Sequence, residues 1–275
     1  EHAMPILTMG LLFGTFLIEL NEYWSTAYQN SGVTAYTEEG LEYDARNGSL
    51  ILFKNVASIL YTILFLIGIA AVNQWKLKSK GIAAFTLIGM SVMLFSFLTG
   101  GQYALLELWN NYIQRDQESN FNRGIMHILI RYLSLIVVSG MIIVMAKTIK
   151  TFFTEKWIAI AFQISFHLSI LAILSFELTG WGDMSGTLRR NSFGLSILWG
   201  CYALGLVGWG IHTKNKYLRY LAFAIFGLTL VKLFLYDLSG LDTIGKTVVL
   251  VSLGILLLVV SFLYNKFNDN IYDEK

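Results

Sequence analysis

The sequence predicts an all-α transmembrane protein of about eight spanning helices, arranged as two parallel tandem four-helix repeats. Three observations lead there. Hydrophobic residues make up 55% of the 275-residue chain and charged residues only 14%, with a mean hydropathy of +0.59. Soluble domains carry about 25% charged residues, so an apolar excess of this size calls for lipid as its solvent. Apolar windows of spanning length recur along the chain, and short lysine-bearing connections alternate with longer acidic ones.

The windows are Pro5–Leu20, Leu50–Val72, Gly81–Leu98, Gly124–Ala146, Trp157–Leu178, Ser192–Ile211, Tyr217–Tyr236 and Thr243–Tyr264. Each lies near the ~20 residues that cross a hydrocarbon core. The first is short and the second contains Lys54. Pro5 is the single proline, as fits long uninterrupted helices, and Cys201 is the single cysteine. One thiol forms neither an internal disulfide nor a cysteine metal site. The opening Glu1-His2-Ala3-Met4 has no basic segment of the kind that starts a signal peptide, and it reads as the start of a piece of a longer chain.

Orientation follows from the connections. Lys76, Lys78 and Lys80 follow the second window, Lys147, Lys150 and Lys156 the fourth, Lys214, Lys216 and Arg219 the sixth, and Lys266 the eighth. Residues 21–49 and 99–123 instead carry Glu22, Glu38, Glu39, Glu42, Asp44, Glu107, Asp116 and Glu118 against Arg46, Arg115 and Arg123. Basic short loops stay in the cytoplasm. Both termini of the segment are therefore expected to be cytoplasmic and the acidic loops to face outward. Trp75, Trp157, Trp209 and Tyr217 fall at the expected inner interface, and Trp24, Trp109, Trp181 and Tyr236 at the outer one. Residues 102–115 mix Leu105, Leu106, Leu108, Trp109, Tyr112 and Ile113 with polar positions. They read as a short helix lying on the outer interface, with an irregular loop as the alternative.

The halves 1–150 and 151–275 run in parallel. Ser58-Ile59-Leu60 aligns with Ser196-Ile197-Leu198, and at the same offset Lys76, Lys78 and Gly89 meet Lys214, Lys216 and Gly227. Each stretch follows a window ending in acid and leucine, Glu19-Leu20 or Glu177-Leu178, and precedes one opening on a base, Arg131 or Lys246. Four spans is an even number, so the copies share one orientation. Chance similarity among apolar helices is the competing explanation.

The stretch from Tyr217-Leu218-Arg219 through Val231-Lys232-Leu233-Phe234-Leu235-Tyr236-Asp237-Leu238-Ser239 resembles the C-terminal part of the bacterial DUF2339 family of predicted membrane proteins. So does its continuation, Leu253-Gly254-Ile255-Leu256-Leu257 to Ser261-Phe262-Leu263-Tyr264-Asn265-Lys266. One departure is Lys246, where such proteins usually carry arginine. The resemblance implies a bacterial inner membrane and a chain that ends a longer one. It implies no activity.

Ionisable residues inside spans are costly and commonly pair or line a wet cavity. The candidates are Glu19, Lys54, His127, Arg131, His167, Glu177, Lys232, Asp237 and Lys246. All but His167 fall in the outer half of the expected topology. Glu177, Lys232 and Asp237 are expected to form a polar cluster facing an outward cavity, with interface anchoring or structural ion pairing as the alternative. Glu19 and Arg131 are the corresponding substrate-binding candidates of the first half, and Glu19 has Lys54 or Arg131 as an available partner. His127 and Arg131 are four apart and share a helix face. His167 reads as an interhelical hydrogen-bonding residue. Gly10 with Gly14, and Gly205, Gly208 and Gly210, mark close-packing faces. No nucleotide-binding fingerprint or metal-ligand spacing is present, so no cofactor, metal or nucleic-acid partner is expected. Membrane lipid is the expected partner. The readings that remain are a transporter or binding protein for a lipid-linked or cell-envelope substrate, a membrane enzyme acting on such a substrate, and a non-catalytic scaffold.

Overall fold

The structure, a computed structural model, describes residues 3–36, 40–113, 121, 123–185, 193–233 and 235, together with 243, 244, 246, 247, 250, 251, 254, 255, 258 and 262. Among them the elements run α1 (Ala3–Gln29), β1 (Val33–Tyr36), β2 (Glu42–Ala45), α2 (Ser49–Val72), α3 (Lys80–Ser96), α4 (Gln102–Ile113), α5 (Met126–Phe152), α6 (Lys156–Ser185), α7 (Phe193–His212) and α8 (Lys216–Lys232). A π-helical turn, π1 (Asn73–Leu77), extends α2, and a second, π2 (Phe97–Gly101), joins α3 to α4. The chain divides into two compact units, Glu1–Ile158 and Ala159–Lys275.

In the first unit α2 is the central helix and packs against α1, α3, α4 and α5. Its side chains fix every direction. Tyr61 donates to the Phe13 carbonyl at 3.2 Å and Ser58 to Asn21 at 3.1 Å, while Lys54 reaches Ser25 at 2.9 Å, so α1 runs antiparallel to α2. The Phe53 and His127 rings meet at 5.0 Å near one end, and Gln74 donates to Thr148 at 2.9 Å near the other, so α5 runs parallel to α2. A Cβ on Gly89 would stand 3.2 Å from the Leu66 methyls, and one on Gly101 3.5 Å from Ile59. Further along, Asn111 lies 3.3 Å from Ser49. The run α3–π2–α4 is therefore antiparallel to α2 along its length.

Two expectations change here. Residues 102–113 are helical but not a separate helix, because π2 carries α3 straight into α4 over the 34 residues Lys80–Ile113. Leu105 and Leu108 are fully buried and Trp109 nearly so, with α4 packed on α2 and α5. That apolar face is the core side of a helix in the bundle. The first window, Pro5–Leu20, also lies within a longer helix, since α1 continues to Gln29 through residues read as loop. An antiparallel hairpin follows, pairing Val33 with Ala45 and Tyr36 with Glu42. Arg46 ties it to α1 by an ion pair with Asp44 at 2.9 Å and a hydrogen bond to Gln29.

The opposite end of the unit carries the lysine turn. The Asn73 side chain is buried and closes the turn on both edges, donating to the Ser79 carbonyl and accepting from the Ser79 amide, each at 3.0 Å. Lys78 takes a left-handed conformation, φ 49°, and Ser79 caps α3. Lys80 reaches Glu155 at 3.1 Å. The Glu155 carboxyl is held below the usual carboxylate range by backbone amides first and by Lys80 next.

In the second unit α7 and α8 form a tight antiparallel pair. Asn215 N–H bonds the Gly210 carbonyl at 2.9 Å and Lys214 N–H the Ile211 carbonyl at 3.1 Å, with Lys214 left-handed at φ 52°. This is a Schellman end, and the Asn215 side chain then caps α8. Leu206, Val207, Leu218, Ala222 and Ile225 are buried together, with Leu171 of α6.

Among the described residues five helical runs are long and apolar enough to cross a membrane: Ser49–Leu77, Lys80–Ile113, Met126–Phe152, Lys156–Gly182 and Gly194–His212. They match the second to sixth windows. The seventh window holds α8, of 17 residues, and most of the eighth lies outside the described residues.

Candidate ligand groove

Helical spacing gathers neutral polar groups on three neighbouring helices of the first unit. Asn55, Ser58 and Thr62 are three and four apart on α2, and Ser96 and Thr99 are three apart across the α3–π2 junction, so each set shares a face. Together with Asn21 of α1 they line an open groove of about 560 Å³. Leu17, Ile59 and Met93 supply its apolar surface. A volume in this range suits a small ligand or a headgroup.

Hydrogen bonds inside the groove are mostly spent on its own helices. Thr62 donates to the Ser58 carbonyl at 2.8 Å and Thr99 to the Phe95 carbonyl at 2.9 Å. The Asn21 amide donates to the Leu17 carbonyl at 2.8 Å, and its oxygen lies 3.1 Å from the Ser58 hydroxyl. The Asn55 amide and the Ser96 hydroxyl make no hydrogen bond among the described residues. Lys54 lies beside this face, with its ammonium on Ser25. Glu19, an expected partner of Lys54, is exposed on α1.

Behind α2 lies a buried polar strip on α5. Arg131 is 1% exposed, and its guanidinium sits 4.9 Å from the centre of the Trp109 ring. Stacking on an aromatic face favours a buried cation. His127, one turn away, is buried with Nδ1 3.0 Å from the Gly124 carbonyl. The expected shared face of His127 and Arg131 thus points inward. Gln102 is also 1% exposed, and neither its amide nitrogen nor its oxygen has a hydrogen-bond partner among the described residues.

In the second unit Lys232 donates to the buried Ser196 at 2.9 Å, linking α8 to α7. Glu177 is half-buried on α6, two residues past Ser175, which accepts from the Trp199 indole at 2.8 Å. His167 lies 3.0 Å from the Tyr202 hydroxyl, an interhelical contact between α6 and α7. Asp237, the third member of the expected cluster, lies outside the described residues, and Lys246 is exposed. The groove residues are neutral, so charge in the sequence does not mark them. Their signal was the run of Asn and Ser at helical spacing in an otherwise apolar α2.

Apolar helices of spanning length, packed through buried polar contacts, define a multi-pass α-helical membrane protein. The chain belongs to the DUF2339 family of predicted membrane proteins, whose model matches residues 6–267. The match extends the resemblance of the C-terminal stretch over nearly the whole sequence. No curated protein and no solved structure matches the chain.

Proposed function

We propose that this protein binds, and in its cycle translocates, a lipid-linked or cell-envelope substrate at the outer face of a bacterial inner membrane. The observation that carries the reading is the groove beside α2, where Asn55 and Ser96 present unspent hydrogen-bonding groups between helices of spanning length. A polar group at membrane depth is costly without a partner, so a groove of such groups suits a ligand or water. The proposal includes eight spans in two parallel repeats with both termini cytoplasmic. The similar turns Lys78-Ser79-Lys80 and Lys214-Asn215-Lys216 favour it, each placing a left-handed lysine before a capping side chain and a second lysine at the start of the next helix, although they pair two residues away from the register in which Lys78 aligns with Lys216.

The experiment is mass spectrometry of lipid that co-purifies with the protein, compared with Asn55→Leu. A specific lipid depleted at least about tenfold in the variant, at unchanged thermal stability, is the expected result (about 1.4 kcal/mol of binding). The same lipid profile in both proteins would sink the reading. The scaffold reading has its own support in the second unit, where Lys232 bonds Ser196 and Trp199 bonds Ser175, tying α6, α7 and α8 together. There the charge of Lys232 serves packing.

A further inference from the structure

We infer that the groove recognises an uncharged hydroxyl-bearing group, a sugar or polyol, and discriminates against phosphate. This rests on the proposed substrate-binding role of the groove and adds its chemical class.

A hydroxyl has one proton to donate and two lone pairs to offer. Thr62 and Thr99 give their protons to carbonyls of their own helix at 2.8 and 2.9 Å. The Ser58 proton has two takers, the Lys54 carbonyl at 2.8 Å and the Asn21 oxygen at 3.1 Å. These three hydroxyls therefore turn only oxygen lone pairs toward a ligand. One Asn21 amide proton is already committed to Leu17. The donors in reserve are the second Asn21 amide proton, the Asn55 amide and the Ser96 hydroxyl, and the last two also bring acceptors.

An acceptor-rich wall answers a ligand that brings donors. Hydroxyl groups do so, and each can also accept from Asn55 or Ser96. An ionised phosphate or carboxylate brings only acceptors: it engages the reserve donors but sets its other lone pairs against those of Ser58, Thr62 and Thr99. No acidic or basic side chain is among the groove's lining residues, and the neighbouring Lys54 ammonium is turned to Ser25 at 2.9 Å. An anion moved into this site would lose water without gaining a cation, which is strongly unfavourable. Leu17, Ile59 and Met93 complete the fit, because the carbon face of a sugar or polyol packs on aliphatic surface.

The test measures binding to the detergent-solubilised protein by native mass spectrometry with three probes: a monoglucosyl diacylglycerol, a phosphatidic acid with the same acyl chains, and free methyl glucoside. The glucolipid is expected to bind at least about tenfold tighter than phosphatidic acid, a difference of about 1.4 kcal/mol. Asn55→Leu with Ser96→Ala is expected to remove that preference and leave phosphatidic acid binding unchanged. Asn55→Lys, at an exposed position that tolerates a long side chain, is expected to reverse the order by supplying a cation. Phosphatidic acid binding as tightly as the glucolipid to the unaltered protein would overturn the inference while leaving lipid binding standing. Binding of neither lipid nor sugar would overturn both. Methyl glucoside binding as tightly as the glucolipid would uphold the recognition chemistry and assign it to a soluble sugar.

Discussion

Lys78 and Lys214 both sit in the left-handed region, at φ 49° and 52°, where glycine is the usual occupant. A side chain there crowds the following carbonyl, at a cost of roughly 1–2 kcal/mol. Each lysine gains something in exchange, since it carries a cation to the carbonyl end of a helix dipole, worth about 0.3–1 kcal/mol near the surface. The strain outweighs that gain. Lys214→Gly is therefore expected to stabilise the second unit by up to about 1 kcal/mol, read as a higher midpoint of thermal unfolding in detergent. A lower midpoint would mean that the ammonium contributes more than the backbone loses. The sequence displayed these lysines as a topological signal but said nothing of their backbone, because φ is set by the turn that closes around them. At Lys78 that closure depends on Asn73, a polar residue at the end of an apolar run whose side chain both donates to and accepts from Ser79. Arg131 was legible as a buried charge needing company. Its company includes the Trp109 ring, although tryptophans near span ends favour the interface.

Close packing between helices is decided by single glycines, and spacing alone does not say which. A Cβ on Gly210 would lie 2.9 Å from the Arg219 Cγ and 3.2 Å from the Arg219 backbone nitrogen, whereas one on Gly205 or Gly208 meets nothing within 4 Å among the described residues. Gly210→Ala is expected to push α7 from α8 and cost about 1–3 kcal/mol. Gly208→Ala is expected to be neutral or stabilising by up to about 1 kcal/mol, since alanine favours the helix. Comparable unfolding midpoints for the two variants would contradict the geometry. Gly10 and Gly14, with their small-residue spacing, likewise meet nothing within 4 Å among the described residues. Gly89 and Gly227 match in sequence but differ in setting among the described residues, where Gly89 is pressed against Leu66 and Gly227 meets nothing within 4 Å. Apolar windows gave the cores of α2, α3, α5, α6 and α7 correctly because burial and lipid exposure both select the same residues. They missed the helical ends, α4 and the last turns of α1, where polar residues on one face diluted the hydropathy of a helix that packs with the other.

For the whole molecule, alternation of basic and acidic connections is a statement about sidedness. A single cysteine introduced at Gly40, in the hairpin connection, or at Lys78, in the lysine turn, in a Cys201→Ser background, tests it with a membrane-impermeant thiol reagent. Labelling of intact cells is expected at position 40 and not at position 78, with position 78 labelled only after lysis. The opposite pattern would invert the orientation. The parallel and antiparallel directions of α1 to α5 already require that these two positions lie at opposite ends of the first unit.

The π2 turn has a consequence for how this chain tolerates changes of length. A π turn is one residue more than an α-helix needs, looped out so that the helix on either side keeps its facing. Removing one residue within 97–101, such as Leu98, would let the helix revert to ordinary pitch with Leu105, Leu108 and Trp109 still turned toward α2 and α5. Removing one residue from the α-helical body instead, such as Leu87, would rotate everything beyond it by about 100° and turn that face toward lipid. Two single-codon deletions eleven residues apart should thus differ sharply in yield of folded protein, with the deletion at Leu98 the better tolerated. The turn is slack in the reading frame of the fold, and a lineage can gain or lose a residue there without redrawing the bundle.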